Sequence, residues 1–179
     1  MSIKKKYYTY NDVHTWMHSI AKQVYKDKWQ PDYIVGLTRG GLVPAVILSN
    51  MLDIPMHTLK VALRDNADTE SNLWMPEDAW GYSSDCDGSP VFDKHKQKNI
   101  LIVDDLNDTG ATFNWIMQDW QRSCLPNSDH WGTVWGKNVK FAVGIDNLSS
   151  NFNRKVDYCA EEINKAEDDT WCVFPWETL

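Results

Sequence analysis

Residues 100–116 read ILIVDDLNDTGATFNWI. Ile100 to Val103 is apolar at every position, so a strand built from it has no polar face to turn to water. Such a strand belongs inside a sheet covered on both sides, the usual setting of parallel sheets. The run stops at Asp104 and Asp105, a third carboxylate follows at Asp108, and Gly110 allows a tight turn without a Cβ clash. Phe113, Ile116, Met117 and Trp120 then fall at helical spacing. A buried strand that passes through a short turn into a helix commits the chain to an α/β layer architecture. In such sheets ligands gather at the carboxyl ends of the strands.

The same alternation runs through the rest of the chain. Val13, Trp16, Met17, Ile20, Ala21 and Val24 predict an amphipathic helix, with Thr9 or Asn11 as its cap. DYIVGL (32–37) reads as a buried strand broken by Arg39-Gly40-Gly41. Pro44 suits a first helical turn, and the helix continues through VILSNML. Strands follow at MHTLKVAL (56–63) and VKFAVGI (139–145), with a weaker one at KVDYCAEE (155–162). Residues 65–98 are polar, acidic and aromatic without a sustained period, and read as a long mobile excursion with room for a short hairpin. A loop of that length in a compact domain is functional or disordered more often than idle. Residues 121–138 read as a loop insertion. The expectation is one α/β domain over residues 1–179, a mostly parallel sheet flanked by helices, with the Arg39 turn and the Asp104–Thr112 loop on one sheet edge.

Charge and composition narrow the function classes. The net charge of −7 argues against a broad nucleic-acid footprint. No apolar run approaches membrane-spanning length. Lys4, Lys5 and Lys6 are followed by Tyr7 to Asp12, which is not an apolar core, so no export signal is expected. Cys86, Cys124, Cys159 and Cys172 are widely spaced without a CxxC, as in reduced thiols of a cytoplasmic protein. Ten tryptophans fit aromatic-rich packing and base stacking equally. His14 and His18 have a metal-ligand spacing but no acidic or histidine partner nearby in sequence, and read as scaffold.

Within DTGAT (108–112), Thr109 and Thr112 offer hydroxyls, and the following helix offers free N–H groups and the positive end of its dipole. That is a monophosphate site, or else an ordinary strand–turn–helix connection. It lacks the lysine of a Walker loop. Asp104 and Asp105 can accept hydrogen bonds from vicinal hydroxyls or stand as solvated rim carboxylates. Carboxylates beside an anion repel it: at about 4 Å and an effective dielectric near 20, each unit-charge pair costs ~4 kcal/mol. The conflict points to a bridging cation such as Mg²⁺, or to a ligand that is sugar on one side and phosphate on the other.

VDDLNDTGAT (103–112) resembles the phosphoribosyl-pyrophosphate (PRPP) motif of the type I phosphoribosyltransferases. VGLTRGGLVPAVIL (35–48) is similar to the pyrophosphate loop of the bacterial xanthine-guanine branch, and DDTWCVFPWE (168–177) to its C-terminal purine-binding segment. The resemblance implies Mg²⁺-dependent transfer of a 5-phosphoribosyl group from PRPP to a purine in purine salvage, by a homo-oligomer with neither membrane nor nucleic-acid partner. It implies that Asp104 and Asp105 hold the ribose hydroxyls and the metal, that Asp108 handles the proton at purine N7, and that Thr109, Gly110, Ala111 and Thr112 cradle the 5′-phosphate. Arg39 and Gly40 bind pyrophosphate after a Thr38–Arg39 peptide that is cis in the family. Trp171 stacks on the base, and the Cys172 backbone meets its edge. Residues 65–98 close over the site as a hood, with Arg64 as a cation at its base.

The chain also departs from the pattern. The family places a lysine just after the strand matching FAVGI, where it donates to the purine 6-oxygen; here the residues are Asp146-Asn147-Leu148. Asn147 is then the candidate donor to a 6-oxygen, and Asp146 a repulsive neighbour, which favours guanine or hypoxanthine over xanthine and leaves adenine less excluded. Two other readings use the same fold: a PRPP-sensing regulator without catalysis, and a transferase for a different base. The acidic charge opposes the first, and Asp108 speaks for catalysis.

Overall fold

The computed structural model describes residues 4–63, 68–70 and 72–177. The elements, in chain order, are β1 (Lys5–Tyr7), α1 (Tyr10–Lys26), β2 (Tyr33–Thr38), α2 (Leu42–Leu52), β3 (Met56–Ala62), β4 (Asp68–Thr69), α3 (Trp74–Trp80), β5 (Tyr82–Ser84), β6 (Pro90–Phe92), β7 (Ile100–Asn107), α4 (Ala111–Ser123), a 3₁₀ turn (Asp129–Thr133), β8 (Val139–Asn147), β9 (Tyr158–Ile163) and β10 (Trp171–Val173). Six strands form the main sheet in the order β4-β3-β2-β7-β8-β9, parallel throughout except for β4. No helix among the described residues is long and apolar enough to cross a membrane.

The expected strand at 100–103 is the centre of this sheet, and it runs on to Asn107. Side chains alternate across a strand, and here both faces are covered. Ile100 and Ile102 enter a core with Phe113, Ile116 and Trp120 of α4. Leu101 and Val103 enter a second core with Met17 and Ile20 of α1 and Leu48 of α2. Burying each such side chain contributes roughly 1.5–3 kcal/mol. Thr9 is the cap of α1: its hydroxyl accepts from Asp12 N–H, and Asp12 accepts from Thr9 N–H at 2.7 Å.

β2 leads outward to β3 on one side, while β7, β8 and β9 build outward on the other, so the order reverses between β2 and β7. Such a switch point opens a crevice at the carboxyl ends of the two strands. Gly36 pairs with Val103, which sets the end of β2 at Thr38 beside Asp104 and Asp105.

Two expected loops are built differently. The 121–138 segment, expected as a loop insertion, is a connection with one 3₁₀ turn after α4 ends at Ser123, and it is tightly packed, with Trp131 and Trp135 buried. They stack at 5.7 Å, and Trp135 lies 5.9 Å from Trp120 and 6.0 Å from Phe141, so these tryptophans are core. Of the expected hood at 65–98, residues 65–67 and 71 lie outside the described residues, β4 pairs with the end of β3, and residues 74–98 pack elsewhere. Trp74 packs 5.5 Å from Tyr33 and 5.0 Å from His57, at the beginnings of β2 and β3. Asn138, just before β8, donates to the Ala79 and Lys98 carbonyls at 2.8 and 2.9 Å. These contacts fix α3 and the β5–β6 hairpin at the end of the sheet opposite the Asp104–Thr112 loop. Their buried Met75, Ala79 and Trp80 supply the apolar anchor that the aperiodic sequence concealed.

Candidate active site

The crevice at the switch point holds a cavity of about 560 Å³, ample for a nucleotide-sized ligand, bordered by the ends of β2, β3 and β7 and by the β9–β10 segment. Arg39, Asp104, Asp105, Asp108, Thr109, Gly110, Ala111, Thr112, Trp171 and Cys172 all line it. Residues from three distant motifs are thus brought together. The Thr38–Arg39 peptide is cis. Arg64 lies outside the described residues.

Asp104 and Asp105 form the acidic floor. Burial, and then the charge of Asp105, holds the Asp104 carboxyl well above the usual carboxylate range. The Asp105 carboxyl is pushed up to about 6, first by burial and further by Glu177, a carboxylate that also lines the cavity. Among the described residues neither is ion-paired, and no three Asp, Glu, His or Cys side chains cluster to hold a metal by themselves. Mg²⁺ characteristically binds through one or two carboxylates and completes its shell with water and substrate phosphate, so two uncompensated carboxylates beside an anion cradle fit it.

The cradle begins at Gly110, whose φ of +81° suits glycine. A Cβ there would also lie 2.2 Å from Phe152 N, so the β8–β9 connection braces the turn from behind. No side chain caps α4. A long contact of 3.4 Å joins Ala111 N–H to Thr109 Oγ1, leaving the first helical turn open toward the cavity. A helix N-terminus of this kind favours an anion.

Opposite the cradle stands a group the motifs did not foretell. Lys165, from the β9–β10 connection, places Nζ 2.8 Å from Asp108 Oδ1. That nitrogen is also 5.9 Å from the Trp171 ring centroid, within cation–π range. Trp171 is 44% exposed and presents an open ring, whereas Cys172 is buried. No lysine stands at Asp146–Leu148, and the ammonium at this side of the cavity belongs to Lys165. Its one sequence mark is that it is the single basic residue between Glu161 and Asp169.

The expected role of Asn147 needs correction. Asn147 is buried beneath the site, not at its edge. Its Nδ2 donates to the Asp108 carbonyl at 2.8 Å, and its Oδ1 accepts from Ser149 Oγ at 2.8 Å and Lys165 N–H at 3.0 Å. The amide is buried, does not line the cavity, and is engaged at both its oxygen and its nitrogen, so it braces the site from beneath. Asp146 faces away as well: it is buried and accepts from Asn107 Nδ2 at 2.7 Å. The reasons for disfavouring xanthine and admitting adenine therefore fall.

Trp171 and Cys172 are held by β1, which pairs with β10 in parallel, Lys5 opposite Trp171 and Lys6 opposite Cys172. Trp171 N–H donates to the Lys4 carbonyl at 2.8 Å, and Tyr8 N–H to the Val173 carbonyl at 2.9 Å.

Comparison with known proteins agrees with this geometry. The phosphoribosyl transferase domain family matches residues 9–178. A xanthine-guanine phosphoribosyltransferase of Cereibacter sphaeroides is 32% identical over 144 residues, covering 80% of this chain and 68% of the relative. A hypoxanthine-guanine phosphoribosyltransferase of Schizosaccharomyces pombe is 26% identical over 184 residues, covering 96% of this chain and 88% of the relative. Among solved structures, a purine phosphoribosyltransferase from Pyrococcus horikoshii superposes with a TM-score of 0.63 at 25% identity, covering 99% of this chain and 96% of the other.

Proposed function

The chain belongs to the phosphoribosyl transferase domain family, and from that premise we propose that it transfers the 5-phosphoribosyl group of PRPP to a 6-oxopurine and releases pyrophosphate. The observation that carries the proposal is the convergence, in one cavity, of an anion cradle at Thr109–Thr112, two uncompensated carboxylates at Asp104 and Asp105, and an open aromatic face at Trp171 beside the Asp108–Lys165 pair.

The α4 N-terminus and the Thr109 and Thr112 hydroxyls bind the 5′-phosphate. Asp104 and Asp105 accept from the ribose hydroxyls and are the residues that would hold Mg²⁺. Bound there, the ion supplies positive charge that steadies the pyrophosphate as it leaves. Arg39 and the Gly40 backbone face the pyrophosphate side. Trp171 stacks on the purine and aims its N9 at C1′. The N9–C1′ bond forms as the C1′–O bond to pyrophosphate breaks, the electrons of that bond leave with pyrophosphate, and the N7 proton passes to Asp108. Positive charge that develops on the ribose is shielded from water by the bound base and the cavity walls.

The direct test is pyrophosphate release from PRPP with guanine, hypoxanthine, xanthine or adenine, in the presence of Mg²⁺. Release with at least one 6-oxopurine is expected. PRPP binding without release for any base would favour a regulatory protein on this fold.

A further inference from the structure

The end of the sheet opposite the transfer cavity carries a groove of about 480 Å³, bordered by β6 and by the segments that enter β7 and β8. It is lined by the rings of Trp29 and Phe92, the exposed Lys94 and Lys137, and the half-buried amides of Gln97 and Asn99. Its charge runs against that of the chain. The protein has 25 acidic and 18 basic side chains, yet two lysines line this groove and no described Asp or Glu does. The carboxylates next to it in sequence are engaged with backbone: Asp32 accepts from Asn99 N–H at 2.6 Å, and Asp93 from His95 N–H at 2.9 Å.

Among the described residues neither Lys94 nor Lys137 meets a carboxylate. Lys94 Nζ donates instead to the neutral Gln97 Oε1 at 2.7 Å, which places the ammonium without cancelling its charge. Gln97 is fixed in turn: its Nε2 donates at 3.1 Å to Asn138 Oδ1, and Asn138 is buried. Phe92 is 40% exposed and is backed by His130, their ring centroids 4.3 Å apart. An open aromatic ring beside uncompensated ammonium groups suits a flat ring that carries an anion.

We infer that this groove is a second ligand site that holds a nucleoside monophosphate, its base on Phe92 and its phosphate on Lys94 and Lys137. The volume lies within the range of small-molecule sites. A phosphate monoester carries about two negative charges near neutral pH, which the two ammonium groups match. Inorganic phosphate leaves the ring uncovered, and a nucleoside leaves the lysines uncompensated, so the two features together select the nucleotide. The site does not rest on the transfer reaction. β8 spans nine residues, roughly 30 Å at ~3.3 Å each, and separates Asn138 at the groove from Asn147 beneath the cavity. A nucleotide in the groove therefore does not compete with PRPP.

Calorimetry with GMP, with saturating PRPP and Mg²⁺ filling the transfer cavity, should show one nucleotide bound per chain. Lys94→Gln combined with Lys137→Gln should weaken that binding about tenfold or more. Phe92→Leu should weaken GMP and leave inorganic phosphate unchanged. Thermal melts of the variants should match the native protein, because all three side chains are exposed. Guanosine and a hexaglutamate peptide serve as controls, and both should bind more weakly than GMP. No GMP binding beside PRPP, binding indifferent to the lysines, or equal losses of GMP and phosphate in Phe92→Leu overturns the site. So does tighter binding of hexaglutamate, which would make the groove a docking face for an acidic protein segment. A native protein that binds no PRPP defeats the transfer proposal alone; GMP binding that depends on Lys94 and Lys137 still upholds the groove.

Discussion

Gly40 packs directly against the carboxylate of Asp105: a Cβ on Gly40 would stand 2.2 Å from Asp105 Oδ2 and 2.6 Å from its carboxyl carbon. The turn after β2 and the end of β7 are therefore fitted to each other at the floor of the cavity. A methyl group at position 40 has to push a carboxylate aside. Gly40→Ala should fold normally yet lower kcat/KM for PRPP by roughly 10²-fold, the scale of a 1 Å misplacement in a catalytic site. Steady-state kinetics beside a thermal melt would check this, and native kinetics in the variant would contradict it.

Asp108→Asn keeps the shape of the side chain but removes the proton acceptor. Turnover should drop by roughly 10²-fold or more, while PRPP binding by calorimetry persists, because the phosphate contacts lie on the backbone and the threonine hydroxyls. Unchanged turnover would take Asp108 out of the chemistry.

Trp171→Ala removes the exposed ring. Stacking of a base on an aromatic side chain is worth about 1–3 kcal/mol, so the apparent affinity for the base should weaken roughly 5- to 150-fold, with PRPP affinity little changed. Equal losses for base and PRPP would mean that the ring supports the site instead of touching the base.

Excess chelator should abolish pyrophosphate release, and Mg²⁺ or Mn²⁺ should restore it. Asp104→Asn and Asp105→Asn should each raise the metal concentration needed for half-maximal rate. Full activity in chelator would contradict the roles given to both carboxylates.

Asn138→Ala withdraws donors from the Ala79 and Lys98 carbonyls. Leaving a buried polar group unpaired costs about 1–3 kcal/mol, and the shift should appear in the urea midpoint. In the native protein residues 74–98 should resist limited proteolysis with or without PRPP, because they are anchored at the far end of the sheet. Cleavage there that PRPP suppresses would restore them as a lid.

The scaffold was legible because its strongest element is chemically one-sided: Ile100 to Val103 can only be an interior strand, and the carboxylates after it mark where its apolar part ends, although the strand itself runs on to Asn107. Arg39 and Thr109–Thr112 followed from their places at strand ends. Lys165 was hidden because its position depends on the β9–β10 connection folding back over Asp108, a long-range event with no local periodicity. β1 was hidden for a related reason. Lys5, Lys6 and Tyr7 are all exposed, and three residues carry no pattern. Trp131 and Trp135 misled in the opposite direction: a 3₁₀ turn is too short to show a period, so core aromatics resembled loop residues.

The β1–β10 pair stands apart from the six-stranded sheet. Trp171 therefore rides on a splint of two short strands, while the PRPP-side groups ride on the rigid central layer. That splint is seated on the sheet from one side, where Cys172 and Phe174 pack with Tyr8 and with Ile145 of β8. Substitutions along Lys4–Tyr7 can re-aim the aromatic platform, and so retune which base is accepted, without disturbing the core that supports Asp104 and Asp105. If Trp171 is the platform for the base, base preference should respond to substitutions at Lys5 and Lys6, the residues opposite Trp171 and Cys172, more than PRPP affinity does.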